Sequence, residues 1–194
     1  MKIYLYHNIS KKPKNEWEIE PAYLQNFIDN LKLKDIPNIE IHFDDAREGV
    51  YTYAYPILKP FLSILKATVF VVPNYIDGHV PEHESYSEFM SWEQLKTLSD
   101  AGFEIGSHSL NHPDLTSLEE KYLRLELTSS KKILKKKLDL KIINKFSYPY
   151  GRYNKQVLDF VRSHYCFAYG LWPANKEYEN GYMQVTIPRT VINK

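Results

Sequence analysis

The chain has 194 residues, 43% of them hydrophobic and 25% charged, a balance that suits one globular domain over residues 1–194. A formal charge of +1 sets up no field that would recruit nucleic acid, and no stretch approaches the roughly 18 apolar residues of a membrane span. With Cys166 as its single cysteine the chain forms no internal disulfide, and its opening MKIYLYHNIS lacks the apolar run of a signal peptide; unless a leader was trimmed, that reads as a cytoplasmic protein.

Short apolar runs alternate with helical patterns. Lys2–Tyr6 reads as a strand, and Pro21 then opens a helix with Tyr23, Phe27, Ile28 and Leu31 at helical spacing. Ile39–Phe43 is a second strand that runs directly into Asp44 and Asp45. Residues 55–66 are helical, with Pro56 and Pro60 fitting only the first turns. Residues 67–72 form a third strand, apolar and β-branched enough to be buried on both faces. Residues 73–90 break the rhythm and read as a long loop near the functional face.

Ser91 caps the next helix, and Gly102 suits its left-handed end. A short strand at 103–106 follows. Thr116 with Glu119, or Ser117 with Glu120, offers a capping box for a long helix whose buried stripe reads Leu118, Tyr122, Leu125 and Ile133. The basic run from Lys131 to Lys137 is its solvated face. Strands at 145–148, 167–169 and 185–187 follow, with a helix over 154–163 between the first two. Such alternation predicts an α/β fold of parallel strands with helical crossovers.

Three groups carry chemistry, each just after a predicted strand, where α/β barrels build their sites. Asp44-Asp45 offers one carboxylate for a metal and one as a base, although such a pair alone reads as a turn or cap. His108 and His112 meet on one face if their segment makes a helical turn. One carboxylate and two imidazoles make a facial metal site with open positions. In Tyr148-Pro149-Tyr150-Gly151-Arg152, a simple turn by pattern, the Tyr150 N–H could face a developing oxyanion.

The order and contexts of Phe43-Asp44-Asp45, His108-Ser109-Leu110-Asn111-His112 and Tyr148-Pro149-Tyr150-Gly151 resemble the polysaccharide deacetylases of the NodB-homology type, carbohydrate esterase family four. The segments 67–73 and 90–116 also look like the family's connecting stretches. The resemblance implies a distorted barrel of the (β/α)7 type acting on an acetylated amino-sugar polymer or oligomer. By it, Asp45, His108 and His112 hold a divalent metal, Zn²⁺ first, with Co²⁺, Ni²⁺ or Fe²⁺ as alternatives. Asp44 is then the base, and the Tyr150 amide the oxyanion donor.

Two features depart from the family pattern. The usual acid, a histidine near the C-terminus, is missing, and Ser147 stands where an arginine usually precedes the Pro-Tyr motif. Both resemble the poly-N-acetylglucosamine deacetylase branch, which points to His7 as the acid. Arg189 is a candidate partner for Asp44 and substrate contact; Tyr148, Tyr150 and Trp172 are candidates for a sugar-binding wall. Esterase action on O-acetylated xylan and a non-catalytic carbohydrate-binding barrel are the competing readings.

Overall fold

The structure, a computed structural model, describes residues 2–171 and 187–192, so Trp172 and most of the strand expected at 185–187 lie outside the described residues. In chain order the elements are β1 (Lys2–Tyr6), β2 (Asn8–Ile9), β3 (Glu18–Ile19), α1 (Pro21–Asp29), β4 (Ile39–Phe43), α2 (Tyr55–Leu58), β5 (Lys66–Val71) and α3 (Pro73–Ile76). There follow α4 (Trp92–Asp100), β6 (Glu104–Ser107), α5 (Glu120–Lys137), β7 (Lys145–Ser147), α6 (Lys155–His164), β8 (Phe167–Gly170), β9 (Ile187–Pro188) and β10 (Thr190–Val191).

The main sheet is parallel throughout, in the order β10-β1-β4-β5-β6-β7-β8-β9. Its two edges are one piece of chain: Ile187 and Pro188 pair with β8, while Thr190 and Val191 pair with β1. That shared segment curls the sheet into the expected distorted barrel, and Arg189 sits at the closure. The small pair β2–β3 folds the segment after β1 back beside the barrel mouth.

Strand alternation builds two interiors. From β4, Ile39, Ile41 and Phe43 join the main core between sheet and helices. Glu40 and His42 face the other way, where His42 meets the rings of Phe70 and Tyr169. Gly106 makes room for that packing, because a Cβ there would lie 2.4 Å from the Phe70 ring. Inside the barrel Glu40 lies 3.1 Å from His42 Nε2, and Lys145 reaches Glu40 at 3.4 Å and Thr68 at 3.1 Å. Burial raises the pKa of Glu40, but His42 and Lys145 outweigh it and hold it at about 2.

The helices differ from the pattern reading in instructive ways. Only Tyr55–Leu58 is α-helical in the segment expected over 55–66; a π-helical turn, Val50–Ala54, precedes it, and Lys59–Phe61 tightens into a 3-10 turn around Pro60. At α4 the expected cap is present: Ser91 Oγ accepts from Gln94 N, Gln94 answers on Ser91 N, and Gly102 has φ 108°. The capping box expected for α5 does not form. Thr116 and Ser117 belong to a 3-10 turn capped by Asp114, and Glu119 precedes α5 without a side-chain cap.

The buried face of α5 is also not the expected stripe. Leu123, Leu127 and Leu134 enter the core, whereas Tyr122 and Leu125 are half exposed. The helix is turned so that Glu126 points inward, where it binds the loop after β6. Segment 73–90 is less irregular than its composition suggests, with α3, a 3-10 turn at Glu82–Glu84 and a bridge from Phe89 to Arg47. Among the described residues, no helix is long and apolar enough to cross a membrane.

Candidate active site

Asp44 and Asp45 leave β4 on a strained path. Asp45 and Ala46 both take left-handed conformations, φ 71° and 61°, which non-glycine residues rarely adopt. The kink separates the two carboxylates, sending that of Asp45 toward the histidines and that of Asp44 toward Arg189.

His108 and His112 do come together, but through a loop rather than the helical turn expected. Ser109 and His112 have φ of 65° and 57°, and Ser109 Oγ accepts from His112 N at 3.0 Å. Glu126 fastens the loop from below, accepting from Leu110 N at 2.8 Å and Asn111 N at 2.9 Å. This buried acid from α5 does what helical hydrogen bonding would have done. It holds the two imidazoles 4.7 Å apart.

A divalent metal fits these residues. His108 Nδ1 lies 2.8 Å from the Ser147 carbonyl; as donor there, it leaves its Nε2 lone pair free to ligate. Asp45 Oδ1 is 3.7 Å from Nε2 of both histidines. That oxygen is buried and has no hydrogen-bond partner among the described residues, a costly arrangement without a cation. One ligand atom from each of Asp45, His108 and His112 lies within 4.8 Å of the others, and a set of two nitrogens and one oxygen suits Zn²⁺ and its neighbours. Burial, then His108, lowers the His112 pKa to about 4, so its ring is neutral and able to ligate at neutral pH.

Asp44 sits in a different environment. Arg189 grips it with two bonds, Nη1 to Oδ1 and Nη2 to Oδ2, both 2.8 Å. Ser147 Oγ donates to Asp44 Oδ2 at 3.1 Å and accepts from Arg189 Nη2 at 2.8 Å. Burial pushes the Asp44 carboxyl up, but Arg189 and then His108 outweigh it and hold the group well below the usual carboxylate range. Arg189 thus fills by space the place that Ser147 leaves empty by sequence. Its side chain is wholly enclosed, which corrects the expectation that it touches substrate.

The remaining candidates divide. His7 follows β1, packs 4.8 Å from the Trp17 ring and borders the same cavity as Asp44 and Asp45. Burial lowers its pKa, with Asp45 and Asp44 pulling the other way. Tyr150 has φ 57° and is 43% exposed, its ring 4.6 Å from that of His112. Tyr148 borders the same cavity, although its ring is buried. Leaving β7 it turns into the main core and packs against Phe146 and Tyr153. A cavity of about 900 Å³ opens over Asp44 and Asp45, walled by Trp17, Tyr86, Tyr150 and Leu171.

Pattern reading missed Arg47, Glu84, Glu126 and Trp17. Arg47 is fully buried between the rings of Tyr86 and Phe89, at 4.0 and 4.1 Å, and pairs with Glu84. An arginine two positions after a candidate ligand, facing a loop rich in acids and aromatics, was the available signal. Glu126 gave none, since one acid on a long charged helix reads as solvated.

The family profile described as polysaccharide deacetylase matches residues 33–168. YxkH of Bacillus subtilis is 30% identical over 174 residues, covering 80% of this chain and 58% of YxkH. A poly-beta-1,6-N-acetyl-D-glucosamine N-deacetylase of Staphylococcus aureus is 32% identical over 135 residues, 64% of this chain and 44% of that protein. The chain therefore spans about half the length of these curated relatives. Among solved structures, the Streptococcus pyogenes deacetylase PplD superposes with a TM-score of 0.77 at 24% identity, covering 100% of this chain and 92% of that one. Sequence motifs, closed parallel barrel and family profile agree: the chain belongs to the polysaccharide deacetylase family.

Proposed function

We propose that the protein is a metal-dependent deacetylase that hydrolyses N-acetyl groups on a polymer or oligomer of N-acetylglucosamine. The observation that carries the proposal is the split aspartate pair. Asp45 turns an unpartnered oxygen toward two histidines, while Asp44, one residue earlier, is held ionised beside them by Arg189. The name of the staphylococcal relative supports the sugar.

Asp45, His108 and His112 would hold the metal, which when bound supplies Lewis acidity toward the acetyl carbonyl and a water of lowered pKa. Asp44 accepts a proton from the attacking water. Its two bonds from Arg189 fix the carboxylate's direction and leave it a weak base, suited to an already acidified water. As the carbonyl carbon becomes tetrahedral, the Tyr150 N–H donates to the growing oxyanion. An amine leaves as the neutral species only if protonated, and we assign that proton to His7. The ring must first take it up as the imidazolium, a form that Asp45 and Asp44 favour and burial opposes. The Trp17 and Tyr150 rings give pyranose faces an apolar surface, and the cavity accommodates more than one sugar.

The test is acetate release from N-acetylglucosamine oligomers by chelated protein, before and after Zn²⁺, Co²⁺ or Ni²⁺ is restored. Metal-restored release is the expected outcome. Metal binding without release from these oligomers would refute the substrate assignment, and acetylxylan in parallel would reveal an esterase.

A further inference from the structure

Behind the candidate metal ligands lies a second polar layer that the mechanism above does not use. Arg47 leaves the kink just after Asp45, and its Nε is 3.6 Å from Asp45 Oδ2. Its Nη1 donates to the Glu84 carbonyl at 2.6 Å and the Ser87 carbonyl at 3.2 Å, while Nη2 pairs with Glu84 Oε2. Tyr86 and Phe89 sandwich the guanidinium. Fully buried and stacked, this cation fixes segment 73–90 against the mouth of the barrel.

The other oxygen of Glu84 is not spent on Arg47. Oε1 faces His112 Nδ1 at 3.8 Å, with the exposed His83 Nε2 at 4.0 Å. His112 Nδ1 is itself buried and without a hydrogen-bond partner among the described residues. Its ring thus turns Nε2 to Asp45 and Nδ1 to Glu84. His108, by contrast, has its Nδ1 satisfied by the Ser147 carbonyl. The two histidines differ in this: one is oriented by backbone, the other faces a carboxylate carried in on a loop.

We infer that Glu84 is the positioning residue for His112. Fixed by Arg47 with Oε1 3.8 Å from Nδ1, its carboxylate favours by charge the tautomer that carries the proton on Nδ1 and points the Nε2 lone pair at the ligand cluster. Asp45, Arg47, Glu84 and His112 then form a ring of contacts, so that one loop sets the direction of two ligands at once. The inference rests on the metal-site reading above.

Glu84→Gln tests it with little change of shape. A glutamine that keeps its oxygen on Arg47 presents its NH2 to His112. Nδ1 must then accept, and the proton moves to Nε2, where it blocks ligation. Nitrogen-15 NMR of the metal-free protein is expected to report the Nδ1–H tautomer of His112 in the parent and the Nε2–H tautomer in E84Q. Zn²⁺ affinity, by competition with a chromophoric chelator, is expected to fall about 10- to 100-fold. The absorption bands of the Co²⁺-loaded protein are expected to shift. Glu84→Asp, which keeps an acceptor, is expected to retain the parent tautomer and recover part of the affinity; should E84Q not fold, it serves as the test variant beside a Glu84→Ser control.

An unchanged tautomer together with parental Zn²⁺ affinity in the Glu84 variants would overturn the inference. The control is Asp45→Asn. If that variant loses Zn²⁺ while E84Q does not, only the role of Glu84 falls. If it binds Zn²⁺ as the parent does, the metal-site reading itself falls.

Discussion

The candidate site has two halves assembled in different ways. The ligand half, Asp45, His108 and His112, comes from the loops after β4 and β6, two strands with β5 between them, and lies wholly within the family-matched residues 33–168. The half proposed to handle protons joins Asp44 to His7 after β1 and to Arg189 between β9 and β10, both outside that range. Arg189 and Asp44 are 145 positions apart in sequence yet bonded twice. They meet because the Ile187–Val191 segment closes the barrel beside β1. Local loop geometry is enough to bring the three candidate ligands together, whereas the groups proposed to move protons meet only in the closed barrel.

The sharpest way to break the comparison is across the aspartate pair. Asp45→Asn is expected to abolish Zn²⁺ binding and turnover together. Asp44→Asn is expected to keep the metal and lose about 10²- to 10⁴-fold in kcat, the usual range for a lost general base. Metal analysis beside acetate-release kinetics separates the cases. Equal loss of metal in both variants would show that the halves are not distinct.

Arg189 tests whether closure of the barrel tunes the base. Arg189→Met leaves the Asp44 carboxylate buried without its cation, which costs about 3–5 kcal/mol, measured by denaturant unfolding at neutral pH. Asp44 has a depressed pKa in the folded parent, so its contribution to stability is present above the unfolded value of about 3.9 and is lost as the pH falls below it. The deficit of the variant should therefore shrink toward acid pH, as its Asp44 takes up a proton. In kinetics, the acidic limb of kcat/KM should move to higher pH, because the group that lowers the pKa has gone. Arg189→Lys, which keeps the charge but not the two-point grip, is expected to fall between.

His7 sharpens the comparison from the other side. His7→Gln is expected to leave Zn²⁺ content unchanged and lower kcat on N-acetylglucosamine oligomers about 10²-fold. On an aryl acetate, whose phenolate leaves without a proton, the same variant should be nearly unaffected. Equal losses on both substrates would assign His7 to binding or structure instead.

What the sequence disclosed follows the same division. Contiguous strand–motif units such as Ile39–Phe43 with Asp44 and Asp45 were legible because each strand is apolar and its ligand follows at once. Pattern failed where tertiary contacts chose between near-equal local options. Helix α5 turned to bury Glu126 rather than Tyr122 and Leu125, because the loop carrying the histidines needed an acceptor for two backbone N–H groups. Tyr148 and Tyr150 both border the cavity, but the extended Tyr148 buries its ring while the left-handed Tyr150 leaves its ring half exposed. Arg47 and Glu84 escaped because their meaning lies in a pairing across 37 positions.

Ser147 offers the smallest expected effect and the finest probe. Its hydroxyl donates to Asp44 and accepts from Arg189, while its carbonyl receives the Nδ1 proton of His108. The residue therefore touches both halves, one through its side chain and the other through its backbone. Ser147→Ala removes only the first contact. A charge-assisted hydrogen bond of about 1.5–3 kcal/mol is lost from the Asp44 carboxylate, but the Arg189 grip remains to limit the change. A roughly tenfold drop in kcat/KM is expected, with a small rise in its acidic pKa and no change in Zn²⁺ affinity. A change in Zn²⁺ affinity instead would mean that the hydroxyl also holds the strand end in register for His108, and that the halves are coupled at this residue.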